Sequence, residues 1–373
     1  LSGIEQGTDT TWAILRMFKE LAVPADIDGN EIVMTANIGI SMYPADGEHS
    51  EELLSNSKMA LVEATEQGRG EFLFYNKDMN NLSRQVLKIE SQLHQALERE
   101  ELYLNFQPIV NISTGKVEKV EALIRWNHPE FSSVATDIFV KIAEHSGTIK
   151  SIGRWVIQRA CRQLLSWRSN GHPDLIMSIN LSAVQFYQRD LAEDIIAIVK
   201  EEGILPQTIV FELTETALLR KKDNVFKIIS RLHSEGFNIA LDDFGIGYSS
   251  IEYLQSFPID LVKIDRSLMI NFPNDTHAIS IVSGIISLCH NLGIRVTAEG
   301  VEHEAQLSML QDLMCDEVQG YLISKPLLAE DTTEFLESTY SRRMIRKVNT
   351  TQSKREHRQN NTSLADILNS LPT

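Results

Sequence analysis

The stretch Asn238–Ser250, "NIALDDFGIGYSS", decides the fold. It opens as an apolar run with the character of a buried strand, ends on Asp242 and Asp243, and then passes into glycines. Adjacent carboxylates at the end of a buried strand oppose folding unless positive charge lies between them. In a β/α barrel the chemistry sits at the C-terminal ends of the strands. A run that finishes on acids is therefore read as a barrel strand that delivers them to a common mouth.

Working outward, similar runs occur at "LYLNFQPIV", "KVEALIRW", "IMSINLS", "IVFELTE", "LVKIDRS", "IRVTAEG" and "CDEVQGYL". Helical segments such as "RWVIQRACRQLLSWRSNG", "QRDLAEDIIAIVKEEG", "NVFKIISRLHSEG" and "ISIVSGIISLCHNLG" separate most of them, and several stop on glycine. Eight runs over roughly 230 residues predict an α/β fold of the TIM-like (β/α)8 barrel type, spanning 101–335. Residues 1–82 form a smaller α/β piece, with strands in "EIVMTANIGISMYP" and "EFLFYN" around the helix "SEELLSNSKMALVEATEQ". The amphipathic stretch 83–100 is expected to connect the two. Residues 341–373 carry Arg342, Arg343, Arg346, Lys347, Lys354, Arg355 and Arg358 with few apolar side chains, and read as a basic, solvated, flexible tail.

Nearly every barrel run ends with a polar residue: Glu121, Asn180, Glu212 with Glu215, Asp242 with Asp243, Lys263 with Asp265, Glu299 and Gln319. A single buried acid is more often a structural partner than a functional group, but such groups on seven strands of one barrel would converge. Uncompensated, they would cost several kcal/mol each. A set of oxygen donors without His or Cys suits Mg²⁺ or Mn²⁺ rather than zinc. Two such ions, roughly 3.5–4 Å apart, can polarise a phosphodiester and activate water. The ordinary reading of Lys263 is a surface ion pair with Asp265, but its place inside an apolar strand favours a role in the site.

The remaining composition narrows the function classes. A net charge of −16 argues against a basic face for nucleic-acid polymers. Cys161, Cys289 and Cys315 have no metal-type spacing and leave one unpaired, as expected in a reducing, cytoplasmic compartment. No membrane-spanning segment or signal peptide is read. The chain starts at Leu1 rather than Met, so residues upstream are expected, and with them a cytoplasmic part of a longer, membrane-anchored protein.

"EALIRW" at 121–126, "NLSAVQF" at 180–186, "ELTET" at 212–216, "DDFGIGYSS" at 242–250, "VKIDRS" at 262–267, "AEGVE" at 298–302 and "QGYLISKPL" at 319–327 resemble, in unbroken order, the EAL-domain phosphodiesterases of bacterial cyclic di-GMP signalling. The resemblance covers about 88–330. It implies hydrolysis of cyclic di-GMP to linear 5'-pGpG with two Mg²⁺ or Mn²⁺ ions, and a homodimer through the barrel. It further implies Glu121, Asn180, Glu212 and Asp242 as ligands of one ion, with Asp242 and Asp243 serving the second. Lys263 would hold the attacking water, Glu299 would act as general base or base-linked ligand, and Gln319 would partner the metal-bound water. Glu215 would brace the glycine loop, and Gln107, Arg125 and Asp265 would face the substrate. Residues 1–80 resemble the C-terminal half of a GGDEF, or diguanylate cyclase, domain through "TANIGISMYPADG" and "LLSNSKMALVEATEQGRGEFLFYN". The motif that names that domain would precede Leu1, so no cyclase activity is assigned. Ile246 stands where the glycine loop usually has a small hydroxyl residue, and "EFSSVATDIFVKIAEHSG" lacks the usual prolines at Thr136 and Lys141 and the usual acid at Ile138. These departures keep open an alternative, a cyclic di-GMP receptor or scaffold that cleaves weakly or not at all.

Overall fold

A computed structural model of the chain describes residues 14, 17–18, 25–27, 30–32, 35–68, 71–76, 88–132, 134–219, 222–245 and 251–338. The expectations for Ile246, for the tail 341–373 and for the start of the connecting helix lie outside these residues. The chain divides into two compact units, 1–92 and 93–373.

In the first unit Ile38–Ile40 pairs in parallel with Phe72–Phe74, and the helix Ser50–Gln67 lies between them in sequence, as read above. Gly39 makes this packing feasible. A Cβ there would stand 2.0 Å from the Ser57 carbonyl oxygen and 2.2 Å from the Leu61 nitrogen, so the helix rests directly on the strand backbone. Ala60 and Ala64, both fully buried, keep the helix side equally thin. A separate antiparallel pair joins Ala25–Ile27 to Asn30–Ile32.

In the second unit all eight apolar runs become strands of one closed barrel. They are β1 (Leu102–Asn111), β2 (Val117–Trp126), β3 (Ile176–Asn180) and β4 (Ile209–Thr214), followed by β5 (Asn238–Phe244), β6 (Leu261–Ile264), β7 (Arg295–Ala298) and β8 (Glu317–Val318). Strands β2 to β8 run parallel, but β1 is antiparallel to both of its neighbours, β2 and β8. The TIM-like barrel therefore has one inverted strand. Its cause is the short connection 112–116, because a parallel crossover takes a dozen or more residues. Asn111 closes this hairpin by accepting the backbone N–H groups of Ser113 and Thr114, and Gly115 takes the left-handed turn at φ 68°.

Helices cover the outside. Ile149–Ser169 buries Ile152, Val156, Ala160, Leu164 and Trp167, and the Trp167 ring meets Phe106 of β1 edge-on at 4.8 Å. Thr136–Ser146 is a helix within the segment whose prolines are missing, with Ile138 exposed. Among the described residues no helix is long and apolar enough to cross a membrane.

Side chains alternate along each strand, so residues two apart share a face. The inward residues form two storeys. The lower one is split: Val210, Ala240 and Leu261 of β4 to β6 pack together, with Ile176 of β3 against them, whereas Lys119, Ser178, Thr297 and Glu317 of β2, β3, β7 and β8 are polar. Lys119 Nζ lies 2.8 Å from Glu317 Oε2, Thr297 donates to the same oxygen at 2.7 Å, and Arg295 reaches Glu317 Oε1 at 3.2 Å. The upper storey carries the polar residues of the mouth.

Candidate active site

Each upper-storey residue sits two positions after a lower-storey one: Glu121 after Lys119, Asn180 after Ser178, Glu212 after Val210, Asp242 after Ala240, Lys263 after Leu261, Glu299 after Thr297, and Gln319 after Glu317. Alternation aims all seven into the barrel. Gln107 joins them from inverted β1, where it is paired in register with Glu121.

Lys263, 1% exposed, is the hub. Its Nζ stands 2.7 Å from Glu212 Oε2, 2.7 Å from Glu299 Oε1, 3.3 Å from Asp242 Oδ1 and 3.5 Å from Glu121 Oε2. It is an interior cation shared by four acids, not a surface partner of Asp265. The amides complete the network: Asn180 Nδ2 donates to Glu121 Oε1 at 2.7 Å, and Gln319 Nε2 donates to Glu121 Oε2 at 2.7 Å and to Gln107 Oε1 at 3.0 Å. Gln107 in turn donates to the Ser324 carbonyl at 3.1 Å.

One ammonium cannot neutralise this many acids, and the proton affinities reflect it. Burial, with Glu121 adding repulsion, pushes the Glu212 carboxyl well above its ordinary value against the pull of Lys263. Burial raises Glu299 to about 8, with Lys263 opposing. Asp242 is raised by burial, and Asp243 is raised to about 6 by burial and by Asp242. Burial also disfavours charge on Glu121, but Lys263 and the two amides outweigh it and hold this carboxyl below its ordinary value. Lys263 loses affinity for its proton through burial, yet the surrounding acids raise it well above the usual lysine range.

Simple alternation would send Asp242 and Asp243 to opposite faces. Asp243 instead adopts a left-handed conformation (φ 56°) and its N–H donates to Asp242 Oδ1 at 3.1 Å. Both carboxylates thereby reach the mouth, where Asp242, Asp243 and Glu299 each bring an oxygen to within 4.8 Å of the others. Gln319 Oε1 is buried with no hydrogen-bond partner. An oxygen-only cluster with excess negative charge fits a hard divalent cation.

The other expected residues take different places. Asp265 accepts the Ser267 N–H at 2.6 Å and caps the turn Arg266–Met269, beside Asp243. Arg125 is on the inward face of β2, four residues and roughly 13 Å beyond Glu121; its guanidinium donates to the Ile124 carbonyl and to Thr136 Oγ1. Glu215 opens the short helix Glu215–Leu219 and is buried; the loop it was expected to brace lies outside the described residues. Sequence reading passed over Ser178, which donates to Glu212 Oε1 at 2.5 Å, and Lys119 and Glu317 below it. The signal was available, since each is two positions before a residue already singled out.

The family model described as "EAL domain" matches residues 90–326, and "Diguanylate cyclase, GGDEF domain" matches residues 2–71. The "Cyclic di-GMP phosphodiesterase NbdA" of Pseudomonas aeruginosa is 37% identical over 321 residues, covering 86% of this chain and 41% of the relative. The "Bifunctional diguanylate cyclase/cyclic di-GMP phosphodiesterase MucR" of the same organism is 37% identical over 315 residues, covering 84% and 46%. This chain thus spans less than half the length of these curated relatives. Among solved structures, the "PaMucR Phosphodiesterase, c-di-GMP complex" aligns with a TM-score of 0.63 at 38% identity, over 66% of this chain and 99% of that one. The EAL enzyme Bd1971 in its cAMP and cyclic-di-GMP bound form aligns with a TM-score of 0.65 at 30% identity, over 79% and 77%.

Proposed function

This chain belongs to the EAL domain family, and from that premise we propose that it is a divalent-cation-dependent phosphodiesterase that opens cyclic di-GMP to linear 5'-pGpG. The observation that carries the reading is the convergence of Glu121, Asn180, Glu212, Asp242, Glu299 and Gln319 around the buried Lys263 at the mouth formed by β2 to β8. Relatives named as cyclic di-GMP phosphodiesterases support the substrate and the reaction class.

In this reading Asp242, Asp243 and Glu299 hold Mg²⁺ or Mn²⁺, with Glu121, Asn180, Glu212 and Gln319 completing a two-ion cradle. Bound ions would supply Lewis-acid polarisation of the phosphodiester and a water of lowered pKa. The chain's own groups orient and balance charge. Lys263 keeps four acids in one cluster and presents its ammonium where negative charge develops on the attacking oxygen. Asn180 and Gln319 fix the Glu121 carboxylate from either side, and Gln107 ties that network to the segment at Ser324. Glu299, paired with Lys263 at the less buried edge of the cluster, would take a proton in its deprotonated form. Arg125, with a guanidinium suited to a phosphate fork, meets the part of the substrate farthest from the ions. Asp265, beside Asp243 at the cation end of the mouth, faces the substrate through the turn it caps. The reading carries with it a cytoplasmic location, alone or within a longer anchored protein, and a homodimer through the barrel.

The test is chromatography of cyclic di-GMP after incubation of the purified chain with Mg²⁺ or Mn²⁺. Linear product is expected, and Asp242→Ala should lower the rate by about 100-fold or more, because a lost ion removes several kcal/mol of transition-state stabilisation. Nucleotide that is bound but unchanged at every metal concentration would replace the enzyme reading with the receptor one.

A further inference from the structure

The acids of the mouth are held mostly by one another's partners: Glu121 by Asn180, Gln319 and Lys263, Asp242 and Glu299 by Lys263. Glu212 is different. Its Oε2 receives Lys263 at 2.7 Å, while its Oε1 receives the Ser178 hydroxyl from the storey below at 2.5 Å. Ser178 and Glu212 are both 0% exposed, so the bond is shielded from bulk solvent. Ser178 is on β3, in register with Glu121 on one side and Val210 on the other, which puts its Oγ under the cluster and between its two deepest acids. Removing the hydroxyl would take from this buried carboxyl its partner in the storey below, leaving Lys263 and Glu121 to set its orientation.

We propose that Ser178 is a positioning residue for the cation site, setting the rotation of the Glu212 carboxylate so that its remaining lone pairs face the mouth. The proposal rests on the reading that Glu212 belongs to the cation cradle. Partners one step behind a metal ligand commonly matter by about 10–100-fold in metal affinity. Ser178 has the geometry of such a partner: a direct hydrogen bond to Glu212, complete burial and a place within strand β3. Its side chain touches neither the expected ions nor the substrate, so its effect passes through Glu212.

The test is calorimetric titration of Mn²⁺ into the metal-free full chain, with no nucleotide present, together with metal-free thermal unfolding. Ser178→Ala is expected to weaken Mn²⁺ binding by about 10-fold, and Ser178→Thr, which keeps the hydroxyl, to bind closer to the parent. In a Glu212→Gln background Ser178→Ala should cause no further loss, because the two act as one unit. Unchanged affinity in Ser178→Ala overturns the proposal, and so does an equal loss in the Ala and Thr variants or an additive loss in the double variant, each of which marks ordinary packing. Failure of the parent chain to bind Mn²⁺ at all would instead sink the cation reading itself.

Discussion

Lys263 sets the charge balance of the site. Four carboxylates lie within 3.5 Å of its Nζ, and no other cationic side chain is paired with them among the described residues. Breaking a buried pair by removing one partner costs about 3–5 kcal/mol, because the other charge is left without compensation. Lys263→Met should therefore lower the metal-free stability by about that amount. Saturating Mn²⁺ should restore part of it, since the acids then have another positive partner. Thermal unfolding of both proteins with and without chelator measures this; a variant as stable as its parent in chelator would show that the acids are already neutral. At the same scale, Asp243 explains how a pair of neighbouring acids can serve one site. Its left-handed backbone breaks the alternation that would have turned it away.

Among the elements, the two loops that follow β7 and β8 fix the site most tightly. The Val301 N–H donates to the Gln319 carbonyl at 3.0 Å, and the Leu322 N–H donates to the Val301 carbonyl at 3.0 Å. Gly320 allows this contact. A Cβ there would lie 2.2 Å from the Val301 oxygen and 2.3 Å from its nitrogen, both backbone atoms that cannot yield without moving Glu299 and Gln319. Gly320→Ala is expected to cost about 2–3 kcal/mol by denaturant titration, the upper part of the range for overpacking, and to lower catalysis with it. Gly284→Ala is the matched control. Nothing lies within 4 Å of a Cβ at that exposed helical position, so it should be neutral or stabilising by up to about 1 kcal/mol. Equal losses in the two variants would disprove the steric argument. The strands show how legible the site was. All eight runs, the helix Ser50–Gln67 and the polar residues on seven of the strands could be read from period and position. The inversion of β1 was also present, in the short gap between "LYLNFQPIV" and "KVEALIRW", but a repeating strand–helix pattern hid it.

For the molecule as a whole, the raised acids couple folding to pH and to cations. Asp243 and Glu299 ordinarily titrate near 3.8 and 4.5, and in the folded chain at about 6 and about 8. Between these limits the folded state binds more protons than the unfolded one, so stability falls as pH rises. A divalent cation needs the deprotonated groups, and its affinity rises across the same window. The thermal shift caused by Mn²⁺ should therefore be larger at about pH 8 than at about pH 5.5, and the chelated protein should unfold at a lower temperature at the higher pH. A shift independent of pH would place the titrating acids outside the cation site.

The sequence by itself determined the number of barrel strands, the inward face of the polar residues that follow the strand alternation and the oxygen-only character of the donors, because alternation and side-chain chemistry are properties of a few consecutive residues; the face of Asp243 was set by its left-handed backbone. Only the tertiary structure decided which acids share Lys263, which of them keep a proton and which hydroxyl holds Glu212. Those depend on distances between residues such as Lys263 and Glu121, 142 positions apart, or Gln319 and Glu121, 198 apart. Electrostatic energy in a buried site follows distance in space, and closing the barrel is what sets that distance.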